Sequence, residues 1–189
     1  MLAAAYAAFT SDPIAARRQF KALAAAGDPR AQAAYALMLA TGRAGGTDPT
    51  AAVHWYTKAA EQGHAEACHA LGGIYLEGRG VPPDAAAARQ WYLRAADCGD
   101  RDAMWTLGAT SADPDEALTW WRQAAARGHV GAWSSIGRAL LGDGEIGEGA
   151  EALLEAATAG DEEALTELAR VLPAVRDAAG RGEPAAAWV

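Results

Sequence analysis

The sequence predicts an all-α chain built from about five degenerate helical hairpins in series. Three observations carry that prediction. Hydrophobic residues make up 51% of the 189 residues, yet much of that share is alanine, the strongest helix former, and β-branched runs are absent. A glycine followed by Asp or His recurs at Gly27, Gly63, Gly99, Gly128 and Gly160, at spacings of 36, 36, 29 and 32 residues. Around each of these glycines, apolar residues fall on the stripes of two successive helices.

The columns are read by their offset from the glycine. Three before it, all five repeats have alanine (Ala24, Ala60, Ala96, Ala125, Ala157), and four after it alanine again (Ala31, Ala67, Ala103, Ala132, Ala164). Seven before it stands Phe20, Tyr56, Tyr92, Trp121 or Leu153; eight after it, Tyr35, Leu71, Leu107, Ile136 or Leu168. The alanines let helices approach closely while the larger residue fills the space between neighbouring hairpins. The glycine suits a left-handed C′ position ending the first helix, and the Asp or His after it suits an N-cap of the second. Asp12-Pro13, Asp48-Pro49 and Asp113-Pro114, with Asp84 before Ala85, start the first helices in the same way.

The map that follows has a capping helix near 2–9 within an N-terminal cap, 1–12. First helices lie at 13–26, 49–62, 85–98, 114–127 and 146–159, second helices at 29–40, 65–77, 101–110, 130–141 and 162–172. The repeats are 13–48, 49–84, 85–113, 114–145 and 146–172, and 173–189 reads as a degenerate cap with a tail. The third repeat is seven residues short, because it lacks the EGRGVPPD loop of the second.

Net charge is −8 and the pI about 4.9, which argues against a general nucleic-acid binder. The charge is uneven: residues 1–94 carry 9 Lys+Arg against 7 Asp+Glu, and residues 95–189 carry 7 against 17. The N-terminus lacks the basic start of a secretory signal, and no apolar run approaches the ~20 residues of a membrane span. A cytoplasmic protein that binds neither membrane nor nucleic acid is the expectation. Composition leaves its oligomeric state open.

The second repeat, PTAAVHWYTKAAEQGHAEACHALGGIYLEGRGVPPD at 49–84, resembles the SEL-one-like repeat (SLR) family, relatives of the tetratricopeptide repeats. Residues 85–113 keep WYLRAADCGD and LG, and residues 114–137 keep WWRQAAARGH and IG; the first and fifth repeats match in spacing without the Trp-Tyr pair. The resemblance implies a right-handed α/α superhelical solenoid, usually a scaffold or adaptor for protein partners, found also in bacterial signalling and host-interaction proteins. Toxin-neutralising and regulatory roles fall within that range. It brings no catalytic residues.

With core columns set aside, exposed positions of the first helices remain. By analogy with tetratricopeptide repeats, these helices line the groove. Arg18, His54, Lys58, Trp91, Arg94 and Trp120, with Glu151 and Glu155 at an acidic end, then form a graded surface for a protein or peptide. Plain solvated helix is the alternative reading. Trp55, Trp91 and Trp120 repeat beside the core aromatic and read as packing, with partial exposure in the groove as the alternative. Trp105, Trp133 and Trp188 stand off the columns, and Trp105 and Trp133 read as cover for the shortened repeat or as anchors for a partner.

Only Cys68 and Cys98 occur, expected as buried free thiols at one end of adjacent helices, with a disulfide as the alternative. A zinc set of His64, Cys68, Cys98 and Asp100 falls short of the strong ligand patterns, so no metal or cofactor is expected. LLGDGEIGEG reads as a polar loop and His129 as a helix cap. No nucleophile elbow, phosphate loop or HExxH motif is present, and the chain reads as a binder, not an enzyme. A hydrolase or small-ligand protein using an interhelical pocket is the alternative.

Overall fold

Capping chemistry sets where each helix begins and ends. In this computed structural model, residues 1–180 are described, with side chains to Asp177. The helices are α1 (Leu2–Ser11), α2 (Pro13–Ala25), α3 (Pro29–Thr41), α4 (Pro49–Glu61), α5 (Ala65–Glu77), α6 (Ala85–Asp97), α7 (Arg101–Thr110), α8 (Pro114–Ala126), α9 (Val130–Gly142), α10 (Ile146–Thr158) and α11 (Glu162–Gly180). Asp12, Asp48, Asp84 and Asp113 each accept a first-turn backbone N–H, and proline opens α2, α4 and α8. No strand occurs among the described residues. No described helix is long and apolar enough to cross a membrane.

Every hairpin turns by the same device. Gly27, Gly63, Gly99, Gly128 and Gly160 all take positive φ, between 79° and 98°. The residue after each glycine donates its N–H to a carbonyl five positions back, as in Asp28 to Leu23 at 3.2 Å and Asp161 to Ala156 at 3.0 Å. These bonds satisfy carbonyls that the ending helix leaves open. Asp28, Asp100 and Asp161 then cap the following helix through their carboxylates. His64 and His129 stand at the same position without a side-chain cap bond. The expected histidine cap is therefore corrected: the His64 and His129 carbonyls, and not their rings, accept the N–H groups of Ala67 and Ala132, each at 3.1 Å.

Two further expectations change. The second helix of the last repeat does not stop at 172 but runs through Pro173 to Gly180. Pro173 costs the helix a hydrogen bond, about 3 kcal/mol. Beyond it Val175, 3% exposed, joins Ala150, Leu153, Ala156, Ala164 and Leu168 in one apolar cluster, a burial worth about 1.5–3 kcal/mol. The shortening of the third repeat is also shared. Its turn, 111–113, replaces the longer 78–84, and α7 has 10 residues where α5 has 13.

The chain divides into two compact units, Met1–Ala103 and Met104–Val189. In the first, Tyr6 and Phe9 of α1 set their rings edge-on to the fully buried Phe20, with centroids 5.0 and 6.2 Å away. The glycine of the LG motif has a specific cause there. A Cβ on Gly72 would lie 2.6 Å from the ring of Tyr92, the large residue of the next repeat. The second unit repeats the arrangement. A Cβ on Gly108 would meet Trp121 at 2.5 Å, and one on Gly137 would meet Leu153 at 2.8 Å and the Gly149 carbonyl at 3.0 Å. Glycine in this column admits the next hairpin's side chain.

Candidate recognition surfaces

The eight residues expected to meet a partner fall in both units. Arg18, His54, Lys58 and Arg94 are exposed and Trp91 is half-buried in the first. In the second, Trp120 is half-buried and Glu151 and Glu155 are exposed. Two cations are held on aromatic faces: Lys58 Nζ lies 4.9 Å from the Trp55 ring centre, and the Arg94 guanidinium 4.8 Å from that of Trp91. Such stacking orders a long side chain at little cost. Trp55 is braced edge-on by Tyr35 at 5.7 Å and His54 at 5.6 Å. Trp120 donates weakly to Glu116 at 3.5 Å, and Glu116 accepts from Ser111 at 2.6 Å. Glu151 and Glu155 line a cavity of about 500 Å³ with Glu148, Arg122, Trp133 and Leu140.

A second set of contacts links successive hairpins. The residue six after one glycine faces the residue immediately after the next. In the first unit His69 Nδ1 lies 3.8 Å from Asp100 Oδ1. In the second, Trp105 stacks on His129, with centroids 5.4 Å apart and planes 12° apart, and donates through Nε1 to Ser135 at 3.1 Å. Ser134 donates a short hydrogen bond to Asp161. That bond, followed by the Ala164 N–H, holds the Asp161 carboxyl below its ordinary range. Trp105, off the columns in the sequence, is thus one rung of an inter-repeat ladder. Trp133 packs against the apolar cluster of the second unit. Trp188 lies outside the described residues.

The ladder lacks a side chain at one rung. Six after Gly27 stands Ala33, and the residue after the next glycine is His64. Both line a cavity of about 450 Å³, together with Tyr6, Phe9, Leu37 and Tyr56. Burial, the largest cause, pushes the Tyr56 hydroxyl up to about 12, and Glu66 adds to it. Sequence reasoning missed this cavity. The signal was present in the variable column Ala33, His69, Trp105, Ser134, Thr166, whose one-methyl member marks the gap.

The thiols are free, with Cys68 buried; Cys98 is exposed, which corrects the expectation that both are buried. Burial raises the Cys68 thiol, and the neighbouring Cys98 adds to the shift. Among the described residues, the His/Cys/Asp/Glu group whose ligand atoms come within 4.8 Å of one another is His69, Asp100 and Asp102. The set weighed from sequence, His64, Cys68, Cys98 and Asp100, does not converge in that way.

The Sel1 repeat family matches residues 29–64, 65–100 and 106–129, together just over half of the chain. Its frame pairs α3 with α4 and α5 with α6, so the helices read as first from the sequence are second in the family's frame. No curated protein matches the chain. Among solved structures, it is similar to a Sel1 repeat protein from Oxalobacter formigenes, at 26% identity and a TM-score of 0.72, covering 84% of this chain and 68% of that one. It is also similar to a protective antigen of uropathogenic Escherichia coli strains that displays an SLR fold, at 23% identity and a TM-score of 0.75. That match covers 84% of this chain and 36% of the antigen, and it shows the fold alone. The fold class is the all-α hairpin solenoid of these proteins.

Proposed function

The chain belongs to the Sel1 repeat family, and from that premise we propose that it is a protein-binding scaffold or adaptor that holds a protein or peptide segment on its repeat surface. The carrying observation is a division of labour within each repeat. Alanine, glycine and aromatic columns are committed to stacking, while Lys58 and Arg94 are exposed and steadied on Trp55 and Trp91. Ordered cations beside half-buried indoles are the composition of an interaction hot spot. In the second unit, Glu151 and Glu155 offer the opposite charge to a different stretch of partner. Arg18 and His54 belong to the first unit's part of this proposal, and Trp120 to the second unit's.

The test is capture of the partner from the native source, followed by its affinity for a Lys58→Glu, Arg94→Glu double variant. Exposed substitutions shift stability by about ±0.5 kcal/mol, so folding should hold. Affinity should fall about tenfold at low salt, and the difference should narrow in high salt, where surface charges are screened beyond about 3 Å at 1 M. Unchanged affinity at low salt would remove this face from the interface. A second surface, lined by α1, α3 and α5, is favoured by the family's frame, which begins its repeats on α3 and α5, and by the cavity at Ala33.

A further inference from the structure

The second unit holds a filled counterpart of the first unit's cavity. His129 and His64 occupy the same repeat position, each at the start of a helix after a positive-φ glycine. On His129 lies the indole of Trp105, near-parallel at 12° and anchored by its N–H to Ser135. At His64 the residue in Trp105's place is Ala33, which offers only a methyl group. What remains is about 450 Å³ lined largely by carbon, within the range of roughly 300–1,000 Å³ common for binding pockets. Tyr6 and Phe9 line it, and Leu37, 44% exposed, stands at its mouth.

We propose that this cavity receives a tryptophan or tyrosine side chain from a partner protein, which stacks on His64 as Trp105 stacks on His129. Chain chemistry supports an aromatic over an aliphatic occupant. The imidazole offers a flat face, Tyr6 and Phe9 favour edge-on or offset ring contacts, and Glu66 at the lining can accept from an indole N–H or a phenol O–H. The inference rests on the reading of the chain as a protein binder, and it adds a side-chain class and a place. The partner is thereby expected to present an exposed aromatic residue to the α1, α3, α5 face.

The experiment titrates the full chain with N-acetyl-Gly-Trp-Gly-amide, following the ring protons of its four histidines by NMR. Expected is an upfield ring-current shift confined to His64, with a cyclohexylalanine counterpart binding at least tenfold more weakly. Ala33→Trp should fill the cavity from within. His64 should then shift upfield without ligand, and affinity for the tripeptide should drop at least tenfold. If Ala33→Trp fails to fold, Leu37→Glu, at the exposed mouth, should produce the same drop. Absence of a His64 shift, undiminished binding by the variant that folds, or equal binding of the cyclohexyl peptide would each overturn the proposal. So would free indole binding tenfold tighter than the tripeptide, which would make the cavity a small-molecule site. The tripeptide reads this cavity alone, whereas the Lys58→Glu, Arg94→Glu variant reads the other face, so either can fail without the other.

Discussion

The two units use one repeat grammar and finish it differently. In Met104–Val189 the described inter-repeat rungs are filled from within: Trp105 on His129 and Ser134 on Asp161. Its turns, 111–113 and 143–145, are three residues long. In Met1–Ala103 the turns 42–48 and 78–84 are seven residues long, and one rung is a bare methyl at Ala33. The longer turn 42–48 also fastens the N-terminal helix. Arg43 donates to the Phe9 carbonyl at 2.9 Å and lays its guanidinium 4.3 Å from the Phe9 ring centre, while Arg17 donates to the Arg43 carbonyl at 3.4 Å. The difference teaches that stacking columns must be met in every repeat, whereas the columns beside them are free to close a gap or leave one.

The largest expected losses lie at the large core residues. Phe20→Ala removes a fully buried ring from the first unit and should cost about 3–5 kcal/mol, and Leu153→Ala in the second about 2–5 kcal/mol. Urea denaturation gives the totals, and amide exchange shows where they act. Because repeat stability is built from neighbouring interfaces, protection should fall first within the mutated unit. Uniform loss across both units would show that the division in packing is not a division in energy.

A finer test adds one methyl. Gly137→Ala drives a Cβ toward the Gly149 carbonyl as well as Leu153, so two helix backbones must part. The nearest atoms to a Cβ on Gly72 are those of the Tyr92 ring, which can tilt. Overpacking costs about 1–3 kcal/mol, and the better helix propensity of alanine returns about 1 kcal/mol. Thermal melts should therefore show a clear loss for Gly137→Ala and a smaller one for Gly72→Ala. The reverse order would mean that ring packing in the first unit is the stiffer contact.

The smallest effect is electrostatic. Asp161 has a lowered carboxyl in the folded state, chiefly through Ser134. A depressed acid stabilises the fold above its unfolded value, about 3.9, and loses that contribution as pH falls through the folded value. Ser134→Ala should lift the Asp161 carboxyl toward its ordinary range, visible in its NMR titration, and flatten the stability profile below about pH 4. The loss should stay within the roughly 0.5–2 kcal/mol of a helix cap, because the backbone bonds from Glu163 and Ala164 remain. An unmoved titration would assign the shift to those backbone bonds instead.

Much of the fold was legible in the sequence. The local start and stop signals placed nine of the ten repeat helices nearly to the residue, since capping is a local chemistry written in adjacent side chains. The exposure of Arg18, His54, Lys58, Arg94, Glu151 and Glu155 was legible too, because these polar residues stand outside the core columns of their helices. Three features were not. The histidines at the cap position carry no local mark of failing to cap. Pro173 reads as a stop, and only the distant cluster that receives Val175 keeps the helix going. The cavity at Ala33 is a missing contact between residues 31 positions apart, and its meaning came from the ring on His129 in another repeat.

By itself, then, the sequence determined the hairpins: alanine content, helical spacing and caps act within a few residues, where the chain's own connectivity supplies the partners. Tertiary structure alone decided how the free columns pair across hairpins, which rung stays open and which helix overrides its proline. Those outcomes depend on volumes and surfaces that meet only once the helices have packed.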